Sequence, residues 1–192
     1  MLQLRPLVGR TRRELEEGLD HVLRSPSDEG ALELIVRRPA VDVREVVEVG
    51  QLDVGEGLVG DNWRTRGSTS TSDGSANPDA QVTVINARLA ALVAGTAEHG
   101  GLAGDQLYVD FDLSPATLPA GSRLRVGEAV IEITPKPHRG CAKFAARFGK
   151  DALAFVNTGP GLSLSLRGRN AKVVVGGPIR RGDAVRRIDV EH

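Results

Sequence analysis

Short apolar runs punctuated by glycine–acid pairs constrain the fold of this sequence more than any other feature. Gly60-Asp61, Gly104-Asp105, Gly127-Glu128 and Gly182-Asp183 each read as a tight turn, and several of the runs begin just after such a pair. "ALELIVRRP", "VDVREVVEVGQLDVG", "DAQVTVIN", "GDQLYVDFDL", "GSRLRVGEAVIEIT", "LSLSLRGRNAKVVVGG" and "GDAVRRIDV" alternate or run apolar in the manner of strands. Helical spacing is confined to three places. In "TRRELEEGLDHVLRSP", Thr11 and Glu14 form a capping-box pattern ahead of Leu15, Leu19, Val22 and Leu23, and Ser25-Pro26 ends the run. "NARLAALVAG" reads as a short helix capped by Asn86 and closed by Gly95, and "CAKFAARFGKDALAFVN" carries the third helical pattern. The expected class is therefore mainly β with short helices, a folded-over sheet or barrel, in a single domain over 1–192. A helix is expected over about 11–25, and a flexible loop over about 67–78, where "GSTSTSDGSANP" has no large apolar anchor to offset the entropy of ordering.

The 25 basic and 25 acidic residues cancel, so no global field draws the protein to nucleic acid or to a membrane, and charge must act locally. The start shows no continuous apolar core of signal-peptide length, and no run approaches the roughly 18 apolar residues of a membrane span. A single cysteine forms no internal disulfide and no cysteine-rich zinc site, which favours a reducing, cytoplasmic compartment.

That cysteine, Cys141, lies in the sharpest charge segregation of the chain. From Ile133 to Lys150 there is no acidic residue, while Lys136, Arg139, Lys143, Arg147 and Lys150 all occur, with His138 among them. Pro135 and Pro137 stiffen the approach, and Gly140 lets the backbone pass close to a ligand. A helix starting just after Gly140 places Cys141 at its N-terminus, where unpaired amides, the dipole and nearby cations favour a nucleophilic thiolate able to hold sulfur as a persulfide. A helix starting earlier puts Cys141 on one face with Phe144 and Phe148, as a small buried hydrophobe. Both readings are open at this level. His138 also reads as an ordinary turn residue, since no second histidine or carboxylate stands at metal-ligand spacing.

Two further stretches bear on binding. In "LSLSLRGRNAKVVV" a strand would turn Leu162, Leu164 and Leu166 to one side and Ser163, Ser165 and Arg167 to the other, which suits either an anionic pocket or a solvated sheet face. In "GDNWRTRG", Arg64 and Arg66 flank the only tryptophan, Trp63, an arrangement for a phosphate and a flat ring or for anchoring a loop base. The tripeptide at 181–183 repeats the glycine–acid turn and carries no adhesion reading.

Taken in order, "GDNW", "QVTVIN", "GDQLYVDFDLS", "LPAGSRLRVGEAVIEIT", "PHRGCAKFAARFG", "LRGRNAKVVVGG" and "RRGDAV" resemble the MOSC domain, named for the C-terminal part of molybdenum cofactor sulfurases, over roughly residues 30–190. The resemblance implies a β-barrel-like fold, binding of the molybdenum cofactor (molybdopterin), and a cysteine that carries sulfur, which falls on Cys141. The family's arginine–glycine strand end falls on Arg167 and Gly168. It implies Arg64, Arg66, Lys136, His138, Arg139, Lys143, Arg147 and Arg167 as candidates for holding the cofactor, and a stand-alone member without the pyridoxal phosphate domain that extracts sulfur from cysteine. A cysteine desulfurase would then be the donor and a molybdoenzyme the acceptor. In one alternative the chain is the molybdopterin-binding component of a reductase for N-hydroxylated compounds, with Cys141 as a molybdenum ligand. In another it is a ligand-free interaction domain of the same fold.

Overall fold

The computed structural model describes residues 9–188. It begins with helix α1 (Arg12–Leu23), whose N-cap Thr11 accepts from the Glu14 amide while the Glu14 side chain reaches back to the Thr11 amide, the reciprocal box expected from the sequence. Strands β1 (Glu29–Arg37), β2 (Glu45–Val47), β3 (Val49–Asp53) and β4 (Gly57–Leu58) follow, then the one-turn α2 (Trp63–Arg66). Next come β5 (Val82–Asn86), α3 (Ala87–Ala94), α4 (Ala97–Gly100) and β6 (Leu107–Asp110). A hairpin of β7 (Arg123–Val126) and β8 (Ala129–Ile133) leads to α5 (Ala142–Phe148), α6 (Lys150–Asn157) and α7 (Gly159–Ser163). The chain closes with β9 (Arg169–Val175), β10 (Gly177–Arg180) and β11 (Ala184–Ile188); the expected last strand extended to 190, and its final two residues lie outside the described part.

Seven strands form a closed ring in the order β11-β7-β8-β9-β5-β6-β1, sealed by pairing of β1 with β11. All neighbours are antiparallel except β5 and β6, which α3 and α4 connect in parallel. Strand β2 extends β1 outside the ring, and β10, β3 and β4 make a small second sheet. Closure leaves no free edge in the ring.

Period-two alternation sorts the side chains into two cores. Val82 and Val84 of β5 and Leu107 and Val109 of β6 fill the barrel, whereas Ile85 and Tyr108 point outward into a second core made with the helices. On β1, Leu32 and Ile35 both face inward although they are three apart, because the register shifts between Leu32 and Leu34. Leu15, Leu89, Phe144, Phe148 and Phe155 cover the outer face of that wall. Burying a phenylalanine stabilises by about 1.5–3 kcal/mol, so this layer fixes α5 firmly on the barrel.

The stretch from Leu162 to Gly168 departs from the expected strand. It forms the end of α7 and a turn, and extended pairing begins only at Arg169. Pro160 starts a helical turn there, Gly161 lies so close to Phe155 that a Cβ would stand 1.8 Å from its carbonyl oxygen, and Ser165 and Gly168 take positive φ. The leucine–serine alternation mimics a strand without being one. Leu166 and Arg167, expected on opposite faces, are both buried.

The segment 67–77 has no regular element. Its own polar groups close it: Thr71 Oγ1 donates to the Ser68 and Ser75 carbonyls, Asn77 Nδ2 donates to Ser70 Oγ, and Trp63 Nε1 anchors the base on the Asn77 carbonyl. Among the described residues, no helix is long and apolar enough to cross a membrane.

Gly168 holds the entry to β9 at φ 105°, and a Cβ there would lie 2.3 Å from the Val84 carbonyl oxygen. Gly121, at φ 89°, faces open space. Urea unfolding is expected to show Gly121→Ala costing about 1 kcal/mol from backbone strain alone, and Gly168→Ala costing clearly more than about 2 kcal/mol because backbone must also move. Equal losses would mean that the β5 contact has no weight.

Candidate functional site

The site grows from a buried carboxylate. Gly104 takes the left-handed conformation that turns the chain into β6, and the next residue, Asp105, is completely enclosed. His138, from the loop after β8, donates from Nε2 to Asp105 Oδ1 at 2.8 Å. Arg167, from the turn before β9, donates from Nη1 to Oδ2 at 2.6 Å and from Nη2 to the Ala103 carbonyl at 3.0 Å. Its guanidinium lies 4.9 Å from the centre of the Phe144 ring on α5, a cation–π contact.

Burial pushes the Asp105 carboxyl up, but Arg167 and then His138 outweigh it and hold the group below the usual carboxylate range. Burial, reinforced by the Arg167 charge, holds His138 below its ordinary value despite the pull of Asp105. Arg167 already matches the carboxylate, so the imidazole is neutral at pH 7. An ionised carboxylate only accepts, which fixes the proton on Nε2 and leaves the Nδ1 lone pair free. Nδ1 has no partner among the described residues and is not among the sealed, unpaired atoms, so it reaches solvent.

Cys141 is the N-cap of α5, in extended conformation, with no capping bond from its side chain, and it is exposed. This overturns the buried-hydrophobe reading. Phe144 and Phe148 pack edge-on at 4.9 Å in the outer core, but the chain leaves the helix before it reaches Cys141. Gly140 has another task than the expected approach to a ligand: its amide and carbonyl both bond the Asn157 side chain at 2.9 Å, and a Cβ would stand 2.8 Å from Leu153. The loop carrying Cys141 is thus strapped to α6.

The other expected residues separate into groups. Lys136, His138, Arg139 and Arg167 line a cavity of about 210 Å³ between the 134–139 segment and the turn before β9, with Lys136 also donating to Ser70 Oγ at 3.1 Å. Lys143 and Arg147 turn to the other side, toward Asp42, at 3.4 and 3.5 Å. Arg64 and Arg66 both lie exposed on α2; desolvation and then the Arg38 charge lower the Arg66 pKa against the pull of Asp61. Arg167 is no free anion grip, since two of its nitrogens serve the protein; its Nε is buried without a partner.

Sequence reasoning missed Arg38, Arg44, Asp61 and Asp105. Arg38 holds Asp61 with Nε at 2.8 Å and Nη2 at 2.9 Å, and donates from Nη1 to the Gly104 carbonyl at 2.9 Å. Two glycine–acid pairs read only as turns therefore also place buried carboxylates. No local signal marks them, since the partner arginines lie 23 and 62 residues away in the sequence. Among the described residues, no group of three histidine, cysteine, aspartate or glutamate side chains could hold a metal ion.

Asp105→Asn leaves Arg167 buried without its counter-charge and is expected to cost about 3–5 kcal/mol in denaturant unfolding at pH 7. Acidification tests the same cluster. Both groups have depressed folded values, so each contribution is present above its unfolded pKa and lost as pH falls. Stability is expected to decline first below about 6.5, from His138, and again below about 3.9, from Asp105, with the second decline diminished in Asp105→Asn.

No family model matches the sequence, and no curated protein matches it. Solved structures do. The YuaD protein of Bacillus subtilis superposes with a TM-score of 0.59 at 16% identity, over 85% of this chain and 97% of that one. YiiM of Escherichia coli superposes with a TM-score of 0.54 at 18% identity, over 84% of this chain and 71% of that one. A protein described only as hypothetical gives 0.54 at 19% identity, over 84% and 70%. At these identities the likeness is one of fold.

Proposed function

We propose that this barrel is a stand-alone MOSC-type protein that binds the molybdenum cofactor (molybdopterin) and carries sulfur on Cys141. One observation supports the reading above the others: the only cysteine is exposed at the start of α5, on a loop whose His138 and neighbouring Arg167 are locked by buried Asp105. A structural cysteine has no need of that exposure. The order of sequence motifs and the fold shared with YuaD and YiiM agree with it.

The residues present suit an anionic, phosphorylated heterocycle. Lys136 and Arg139 line the cavity, with Arg167 in its wall. At about 210 Å³ the cavity is below the ~300 Å³ of ordinary small-molecule pockets, so it takes one end of such a molecule. When bound, the cofactor supplies a metal centre able to receive sulfur. The protein's own residues do the rest: the cations hold the anion, and Asn157 keeps the Cys141 loop in place. In loading, the Cys141 thiolate attacks the outer sulfur of a donor persulfide on a cysteine desulfurase. A new S–S bond forms at Sγ, the donor's S–S bond breaks, and the donor leaves as a thiolate, with no net redox change. A molybdoenzyme is the acceptor.

Intact-mass spectrometry after incubation with a desulfurase and cysteine is expected to show one added sulfur, removed by reductant and absent in Cys141→Ser. If the desulfurase loads a known acceptor in the same tube while this protein stays unmodified, the carrier reading fails and Cys141 is left as a molybdenum ligand of a reductase component. If Cys141 also resists a small alkylating agent until the protein unfolds, both readings fail.

A further inference from the structure

Three arginines meet at Gly104, Arg38 and Arg44 from the segment after β1 and Arg147 from α5. Arg38 donates to its carbonyl, and on its Cα side a Cβ would lie 3.2 Å from Arg147 Nη1 and 3.6 Å from Arg44 Nη2. Two guanidinium groups therefore converge on one point that only a glycine leaves open. Like charges repel at such separations, most of all where water is partly excluded. Burial lowers the Arg44 pKa, and Arg147 and Arg38 lower it further, against weaker support from Tyr108 and Asp42.

The protein does little to neutralise the pair. Arg38 is occupied by Asp61. Asp42, an exposed carboxylate held in the left-handed region at φ 60°, is shared between Arg147 and Lys143 at long range. Arg44 is only 7% exposed, yet among the described residues its side chain makes one bond, from Nη1 to the Val43 carbonyl at 2.7 Å. Its Nε is buried and unpaired. Its Nη2 has no partner among the described residues and is not sealed off, so it is open to an incoming acceptor. Arg147 spends Nη1 on the Leu102 carbonyl at 3.0 Å, which fixes its fork over the same glycine.

We propose that the point above Gly104, between Arg44 and Arg147, is an oxyanion site that takes a phosphate-class group. Guanidinium forks match phosphate oxygens, and the anion would relieve the repulsion that the fold otherwise carries. Asp42 acts as a weak internal competitor for the same cations. The site stands without the sulfur-carrier reading, because it requires nothing of Cys141.

Titration with inorganic phosphate against sodium chloride at matched ionic strength, read by the thermal unfolding midpoint and by calorimetry, tests it. A saturable rise specific to phosphate is expected. Arg44→Met and Arg147→Met should each weaken binding about tenfold or more. Asp42→Ala should tighten it, an effect that a merely structural role for the arginines does not produce. Lys172→Met removes one positive charge at the Glu132 pair on the β8–β9 wall and should leave the titration unchanged. A rise that never saturates, or one equal in wild type and both arginine variants, overturns the site. If Arg44→Met does not fold, Arg147→Lys decides, since it keeps the charge and loses the fork. Methyl phosphate binding more tightly than phosphate assigns the site to the end of an organic phosphomonoester, and equal binding assigns it to free phosphate. Sulfur uptake without phosphate saturation rejects this site alone, and the converse rejects the carrier alone.

Discussion

The ionised carboxylate of Asp105 organises the molecule around the site. A buried charge is tolerable only when matched and hydrogen-bonded, and this one is matched by Arg167, 62 residues away, and bonded by His138, 33 residues away. Those two bonds bring the start of β6, the loop after β8 and the turn before β9 to one place. The same carboxylate fixes the imidazole tautomer, which leaves Nδ1 as the only acceptor His138 can present to solvent. The Arg38–Asp61 pair repeats the device, and Arg38 extends it by holding the Gly104 carbonyl. Two acid–arginine pairs thus brace the backbone on both sides of a single glycine.

The barrel supplies the rigidity that these pairs require. Each strand of the β5–β6–β1 wall is apolar on both faces, because one side fills the barrel and the other meets the helices. That double burial locates α5 through Phe144 and Phe148, and α5 in turn fixes both its own first residue's neighbour, Cys141, and the Arg147 fork near its end. Phe144 also serves as the surface on which the Arg167 guanidinium rests. Packing and electrostatics are therefore not separate layers here: the helix that seals the outer core is the one that carries Phe144 under Arg167 and positions Cys141 and Arg147.

The acid-free stretch 133–150 looks like one basic patch in the sequence, and the structure divides it. Lys136 and Arg139 belong to the cavity, Lys143 and Arg147 turn toward Asp42, and His138 is neutral. Cys141 sits where the chain passes from one group to the other. The arrangement concentrates unpaired donors, the Nε atoms of Arg167 and Arg44 among them, on either side of the Asp105 cluster.

Local physics was legible in the residues alone. The capping box at Thr11 and Glu14, the Asn86 cap and Gly95 stop of α3, and the short strands between glycine-rich turns, the stretch before Arg169 excepted, depend on neighbours within a few positions and form as read. Of the two starts open for α5, the structure takes the one just after Gly140 and Cys141. The resemblance of motifs pointed to a barrel, and the barrel is there. What the sequence could not decide depends on contacts between distant segments. The leucine–serine alternation of 162–166 satisfies a strand's period, and only the contact of Gly161 with Phe155 and the left-handed turn at Ser165 bend it away. Asp61 and Asp105 look like ordinary turn residues until burial and a remote arginine make them structural ions. Arg38 and Arg44 look like surface charge until the fold folds them under. Short-range patterns carry the elements, but a buried charge is defined by its partner, and the partner is chosen only when the chain has closed.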